Sequence, residues 1–281
     1  MSQTEWTPEL TDLWLASCRK IIEGQVPLFE ESRTIAERHH YEGVGEGGDN
    51  TLRLDRQCED VVFEEMEHLA ADGLSFTVIS EERGTVAFNG GDGLTVVVDP
   101  IDGSLNVRRT LPSHSLSIAV ATGDAMDSVA FGFVHDFGSG EEFSASIGAG
   151  AFLDGRRLEV EDPGNVEMLE LVGVEGAEPG AFLPFVEGLA GSVYRLRCVG
   201  SLAITVSWLA ASRIDAMTSP HPSRSVDVAA AQLIAREAGA LVELGEGDLS
   251  AIGLGLEKRF PVMGSTSAGG LEIVRRARPA A

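Results

Sequence analysis

The chain has 281 residues, and its 44 acidic against 21 basic side chains give a formal charge of -23. Such a surface repels nucleic-acid polymers and anionic membranes, so neither is an expected partner. No apolar run approaches the ~20 residues of a membrane span, and Met1 to Thr11 is polar and acidic rather than the apolar core of a signal peptide. The expected location is therefore the cytoplasm.

Thr7-Pro8-Glu9 reads as a helix start: a cap, proline at the first position, then an acid. Leu10, Leu13, Trp14, Cys18, Ile21 and Ile22 follow at helical spacing. Residues 42–50, with four glycines and little bulk, predict a flexible loop. A second helix is expected from about Asp55 to Ala71, with Cys58, Val62, Met66 and Leu69 on one face. Strands are expected at Phe76–Ile79, Leu94–Val98, Ser115–Ala121, Val129–Val134 and Glu142–Ala145, and Asp154-Gly155 marks a tight hairpin. Beyond it, strands near 168–174, 194–199, 214–218, 241–244 and 261–263 alternate with helices near 181–189, 201–211, 226–238 and 268–276. This rhythm implies layered α/β packing, with a joint near Phe137 to Glu141 that divides the chain into units 1–138 and 139–281. Cys18, Cys58 and Cys198 are far apart and form no CxxC pair, which favours reduced thiols. His39-His40 lies beside the polar loop and reads as solvated.

The informative segment is Val96-Val97-Val98-Asp99-Pro100-Ile101-Asp102-Gly103-Ser104-Leu105-Asn106. A buried strand ends directly in two carboxylates, where α/β proteins place ligands. Gly103 lets the backbone approach a ligand closely, and a helix starting at Ser104 would offer free amides to an anion. Carboxylates three residues apart, with the Ile101 carbonyl between them, suit a hard cation; the same run also reads as an acidic turn after a strand. Three further acids sit at element ends. Glu81 (with Glu82) follows the strand at 76–79, Asp227 opens an alanine-rich helix, and Asp55 opens another. The last two read equally as helix caps. Converging, these sites would hold two ions that clamp an in-line displacement.

The segments EE (81–82), DPIDGS (99–104), VGS (199–201) and VDVAAA (226–231) resemble the inositol monophosphatase family, in family order and at family-like separations. The stretches at 196–217 and 224–242 are similar too, and archaeal-type members, which also act on fructose 1,6-bisphosphate, look closest. The resemblance runs from about Asp49 onward. It implies α-β-α-β-α layers of the sugar phosphatase type, two or three Mg2+ ions per site, and a homodimer. It implies a small phosphate ester as substrate: inositol 1-phosphate, fructose 1,6-bisphosphate or, in the same fold, NADP or a 3'-phosphoadenosine phosphate. Glu81, Asp99, the Ile101 carbonyl, Asp102 and Asp227 would be metal ligands. Asp55 and Ser104, hydrogen-bonded together, would orient the attacking water. The amides of Gly103, Ser104 and Leu105 would hold the phosphate, and Gly200, Ser201 and Leu202 would contact substrate. The 42–50 loop would act as a lid near a third metal.

Arg224 reads as a solvated base or as the partner of a second substrate phosphate. Two departures from the family pattern bear on specificity. The segment Thr218 to Ser223 lacks the acid with which inositol-cleaving members grip a ligand hydroxyl, and the 42–50 loop lacks a lysine. Two other readings remain. A haloacid-dehalogenase-type phosphatase also has a DG[ST] turn, but its nucleophile stands two residues before the second acid, near the N-terminus. A non-catalytic acidic metal-binding protein would give Ser104 and Asp55 no shared purpose.

Overall fold

The computed structural model describes residues 5–38, 41–44, 50–161, 167–176 and 178–278, with the backbone alone of 41–44, 50 and 51. In chain order the elements are α1 (Pro8–Glu31), α2 (Ile35–Arg38), β1 (Tyr41–Val44), β2 (Asn50–Leu52), α3 (Arg53–Ala71), β3 (Phe76–Ser80), β4 (Gly84–Phe88), β5 (Leu94–Asp102), α4 (Ser104–Arg108), β6 (Ser115–Ala121), β7 (Val129–Asp136) and β8 (Glu141–Ser146). They continue with β9 (Gly150–Leu153), β10 (Arg156–Leu158), β11 (Leu169–Val174), α5 (Pro179–Leu189), β12 (Val193–Arg197), α6 (Leu202–Ala210), β13 (Ala216–Ser223), α7 (Ser225–Glu237), β14 (Leu241–Leu244), β15 (Phe260–Ser265) and α8 (Ala268–Arg276).

An eight-stranded sheet runs β10-β9-β8-β7-β6-β5-β3-β4, and a five-stranded sheet runs β12-β11-β13-β15-β14. The alternation of β5 shows why a sheet sits here. Val96 and Val98 face a core with Trp14, Cys18, Ile21, Val62 and Met66 of α1 and α3. Val97 faces the opposite core, with Leu209 of α6 and Ala229, Ala230 and Leu233 of α7. With both faces covered, the strand is apolar throughout. On the far side of the small sheet, Phe185, Leu189, Leu271 and Val274 of α5 and α8 pack on Val172, Val174, Ala216 and Met263. The layers are thus α-β-α-β-α, as the family resemblance implies.

The run Ala229-Ala230-Ala231 has a packing reason. A Cβ added at Gly132 in β7 would lie 2.5 Å from the Ala230 carbonyl oxygen, so helix and strand meet backbone to backbone. The hairpin at Asp154-Gly155 joins β9 to β10, with Leu153 opposite Arg156 and positive φ at both turn residues, as a right-twisted two-residue turn requires. The expected joint near Phe137 to Glu141 is corrected. It is the turn between β7 and β8, which pair along their length within one sheet. The chain passes from the eight-stranded to the five-stranded sheet between Leu158 and Leu169. A break at 138 would leave pairing groups of both strands without partners. The 42–50 loop starts and ends in an antiparallel pair, β1 with β2; residues 45–49 and His39-His40 lie outside the described residues. Cys18 and Cys58 are buried and Cys198 exposed, all as free thiols.

The topology also builds the site. β3 and β5 are parallel neighbours with Ser80 beside Val98, so Glu81 and Asp99 leave the sheet side by side. Close to that edge His114 is 6% exposed against the rings of Phe29 and Phe137, and neither ring nitrogen has a well-formed hydrogen bond. Burial lowers its pKa to about 4, with the Leu111 and Pro112 carbonyls offsetting part of the effect. An unfolded histidine titrates near ~6.5, so between those values the unfolded chain holds the extra proton. The contribution of His114 to stability therefore falls as pH drops through that window, by up to about 3 kcal/mol. In urea unfolding, the stability of His114→Phe relative to the native chain should rise by about that amount between pH 7.5 and pH 4.5.

Candidate active site

Each acid is fixed by the element it terminates. Asp99 and Asp102 lie in the last turn of β5; the Asp99 Oδ1 accepts the Ile101 amide at 3.0 Å, which curls the strand end. Gly103 follows with φ +95°, and a Cβ there would meet the Ser113 and Gly200 carbonyl oxygens at 2.9 and 3.1 Å. Only glycine suits both the conformation and the space. Asp102 Oδ2 accepts the Ser201 hydroxyl at 2.5 Å and the Ala203 amide at 2.7 Å, at the start of α6. Asp227 Oδ2 accepts the Arg224 amide at 2.7 Å, and Asp55 Oδ2 accepts the Leu52 amide at 3.0 Å. Both acids therefore do serve as helix caps, and Asp55 keeps a second oxygen for other work.

Glu81, Asp99 and Asp102 are buried to within 2–8% of full cover. Burial is the first cause that pushes Glu81 and Asp102 up to about 7 and Asp99 well above the carboxylate range. Mutual repulsion adds to it: Asp99 feels Glu81, Asp102 and Asp227. Asp55 rises to about 7, again first through burial, and its Oδ1 has no hydrogen-bond partner among the described residues. The counter-charge comes from Arg224. Its guanidinium bonds Glu81 through Nη1 and Asp227 through Nη2 at 3.0 Å. Burial opposes its charge, but Asp227, Glu81 and Asp99 hold its pKa far above the usual value. A cleft of about 660 Å³ opens beside this cluster, lined among others by Asp102, Leu105, Glu175, Gly200, Leu202, His221, Arg224 and Asp227.

The sequence-based site residues thus fall into two groups. Glu81, Asp99, Asp102, Asp227 and Arg224 interact as one charged cluster, and Leu105, Gly200 and Leu202 join the cleft wall. Ser201 is buried beneath it, holding Asp102 rather than facing the cleft. One expectation is corrected. The Ser104 hydroxyl donates to the carbonyl of Ile101, three residues back, at 3.1 Å, and among the described residues no hydrogen bond joins it to Asp55. Arg224 is not a solvated base: its guanidinium is held by Glu81 and Asp227. Glu175 and Asn106 went unnoticed in the sequence. Glu175 directly follows a strand, as Glu81 does, and that signal was available.

The donor set is all oxygen, with neither nitrogen nor sulfur, which suits magnesium. Among the described residues no three acids, histidines or cysteines close into a ready coordination cage, since Arg224 stands between Glu81 and Asp227. Magnesium, which keeps waters and substrate phosphate among its ligands, does not need such a cage. No helix of the described residues is long and apolar enough to cross a membrane.

Residues 16–271 match the model of the inositol monophosphatase family. The chain belongs to that family and is a phosphatase. It is 32% identical over 214 residues to the fructose-1,6-bisphosphatase/inositol-1-monophosphatase of Methanothermobacter thermautotrophicus, covering 71% of this chain and 72% of that protein. It is 31% identical over 202 residues to the inositol-1-monophosphatase of Mesorhizobium japonicum, covering 69% and 72%. The crystal structure of an inositol monophosphatase-fructose 1,6-bisphosphatase shares its fold at a TM-score of 0.81 and 24% identity, over 94% of this chain and 99% of that one.

Removing the guanidinium that bridges Glu81 and Asp227 leaves those carboxylates without its counter-charge. In chelator at pH 8, Arg224→Ala should therefore lose about 3 kcal/mol of unfolding free energy. At pH 5, below the raised values near 7, the acids take up protons and the loss should shrink. Chemical denaturation at the two pH values measures both.

Proposed function

We propose that the chain is a Mg2+-dependent phosphomonoesterase acting on a small phosphorylated polyol or sugar, with inositol 1-phosphate and fructose 1,6-bisphosphate as the first substrates to consider. The observation that carries this reading is the crowding of Glu81, Asp99, Asp102 and Asp227 into one charged cluster, with Asp102 and Asp227 on the wall of a cleft. Family membership and the phosphatase activities for which two relatives are named support it. The protein is proposed to work in the cytoplasm as a homodimer, as the resemblance implies.

Glu81, Asp99, the Ile101 carbonyl, Asp102 and Asp227 would hold the ions. Bound there, Mg2+ supplies Lewis acidity toward phosphoryl oxygens and the leaving oxygen. The first amides of α4, which have no acceptor within the helix, bind the phosphate at Gly103, Ser104 and Leu105. Asp55 and Ser104 orient the attacking water. Asp55 already has an oxygen without a partner, and Ser104 must rotate away from the Ile101 carbonyl to join it. Water forms the new P–O bond as the ester P–O bond breaks, and the leaving alkoxide takes up a proton. Gly200 and Leu202 border the alcohol portion in the cleft.

Phosphate release should be measured from inositol 1-phosphate, fructose 1,6-bisphosphate, NADP and 3'-phosphoadenosine 5'-phosphate, with Mg2+ or with chelator. Release is expected from a sugar or polyol ester, only with Mg2+. Asp99→Asn should lose at least 10³-fold in kcat/KM, about 4 kcal/mol of transition-state stabilisation. Metal-independent release, or full activity in Asp99→Asn, would overturn the reading, and a preference for the nucleotides would move the substrate class.

A further inference from the structure

We propose that Glu175 is the positioning residue that sets Asp102 for metal binding. The inference rests on the metal-dependent reading above. Glu175 follows β11, and its amide donates to the Thr218 carbonyl at 2.9 Å, which fixes its backbone against β13. The side chain is 4% exposed, yet both carboxylate oxygens are in use. Oε1 accepts the Val199 amide at 3.0 Å and the Thr205 hydroxyl at 2.7 Å. Oε2 accepts the Gly200 amide at 2.8 Å. One carboxylate thus ties the 199–200 turn to the first turn of α6.

The residues that touch Asp102 lie between those attachment points. Ser201 and Ala203 donate to the same oxygen of Asp102, and Ser201 and Ala203 sit between Gly200 and Thr205 in the chain. The turn is held from its other side as well, because Asn106 donates to the Val199 carbonyl at 2.8 Å and to the Ser113 carbonyl at 2.7 Å. Gly200 takes φ +84°, which glycine adopts readily, and a Cβ there would meet the Asn106 Nδ2 at 2.8 Å, so the turn is packed closely on Asn106. Without Glu175, two amides and a hydroxyl would lose their acceptor, and the Ser201–Ala203 clamp would lose its anchor.

Oxygen usage separates Glu175 from Asp99 and Asp102. The bonds described for those two use one carboxylate oxygen each, whereas Glu175 accepts two backbone amides and a hydroxyl across both of its oxygens. It lines the cleft wall with about three of a carboxylate's four acceptor sites already filled. Its effect on metal passes through Asp102.

The test uses Glu175→Gln, which keeps size but offers one acceptor oxygen and brings an NH2 group toward the two amides. Mg2+ binding to the substrate-free protein is measured by titration calorimetry, alongside kcat and KM at rising Mg2+. Groups that orient ligands are typically worth ~10–100-fold in metal affinity. The expected result is Mg2+ affinity reduced at least 10-fold, with kcat largely restored at saturating Mg2+ and KM for substrate little changed. Ser201→Ala should weaken Mg2+ similarly, and the double variant should be no worse than the weaker single one, because both act through one clamp. Thr205→Val, which removes one of the three contacts, should show a smaller effect in the same direction, and it carries the test if Glu175→Gln fails to fold. Wild-type Mg2+ affinity in both Glu175→Gln and Thr205→Val, or fully additive losses with Ser201→Ala, would overturn the proposal. A native chain that binds no Mg2+ would instead overturn the reading beneath it.

Discussion

Three buried carboxylates at the ends of two neighbouring strands, with the partly buried Asp227 beside them, are the constraint around which the rest is arranged. Two unit charges about 4 Å apart repel by ~4 kcal/mol at an effective dielectric of 20, and Asp99 alone feels three such neighbours. The fold tolerates this because a cation is always at hand, Arg224 in the metal-free chain and a divalent ion in the proposed working state. An acidic cluster that needs a cation is a poor way to stabilise a protein. It is a good way to bind one, since the repulsion is relieved on loading.

The same constraint explains the architecture around it. The acids must come from different segments, so the chain brings together the ends of two parallel strands, β3 and β5, and the starts of α6 and α7. These helices form the middle layer, buried between two sheets, and they reach the site only if they lie close to β5 and β7. The contact of Gly132 with Ala230 sets that distance. The alanines after Asp227 are therefore part of the site's construction even though none of them touches the cleft.

Much of this was legible in the sequence, for identifiable reasons. Three valines running into Asp99 and Asp102 are a local pattern of a buried strand and its polar end, and the structure keeps it. Asp154-Gly155 was legible because positive φ at both residues narrows the turn to one kind. What was not legible depends on tertiary pairing. The β7–β8 turn looked like a joint, because glycines and acids at a domain boundary and in a tight hairpin look alike along the chain. The partner of Ser104 and the two acids that hold Arg224 are choices among neighbours 3 to 143 residues away, which no local pattern encodes. Glu175 carried a local signal, an acid directly after a strand, but lacked a motif around it.

Acids near the cleft differ by how their oxygens are used, and that difference assigns roles. Asp55, Asp99, Asp102 and Asp227 each set one oxygen on a backbone amide within their own turn or at the start of a neighbouring helix. An amide bond of this kind fixes the carboxylate's direction and favours its charged form, while leaving the second oxygen to face the cluster. A carboxylate so held binds an ion without first losing the freedom to rotate, which is the advantage of preorganisation. Glu175 gives both oxygens to bonds within the protein. In a chain whose surface is strongly acidic, carboxylates are plentiful, and burial at the cleft together with a fixed direction sets Asp99, Asp102 and Glu175 apart from a solvated charge.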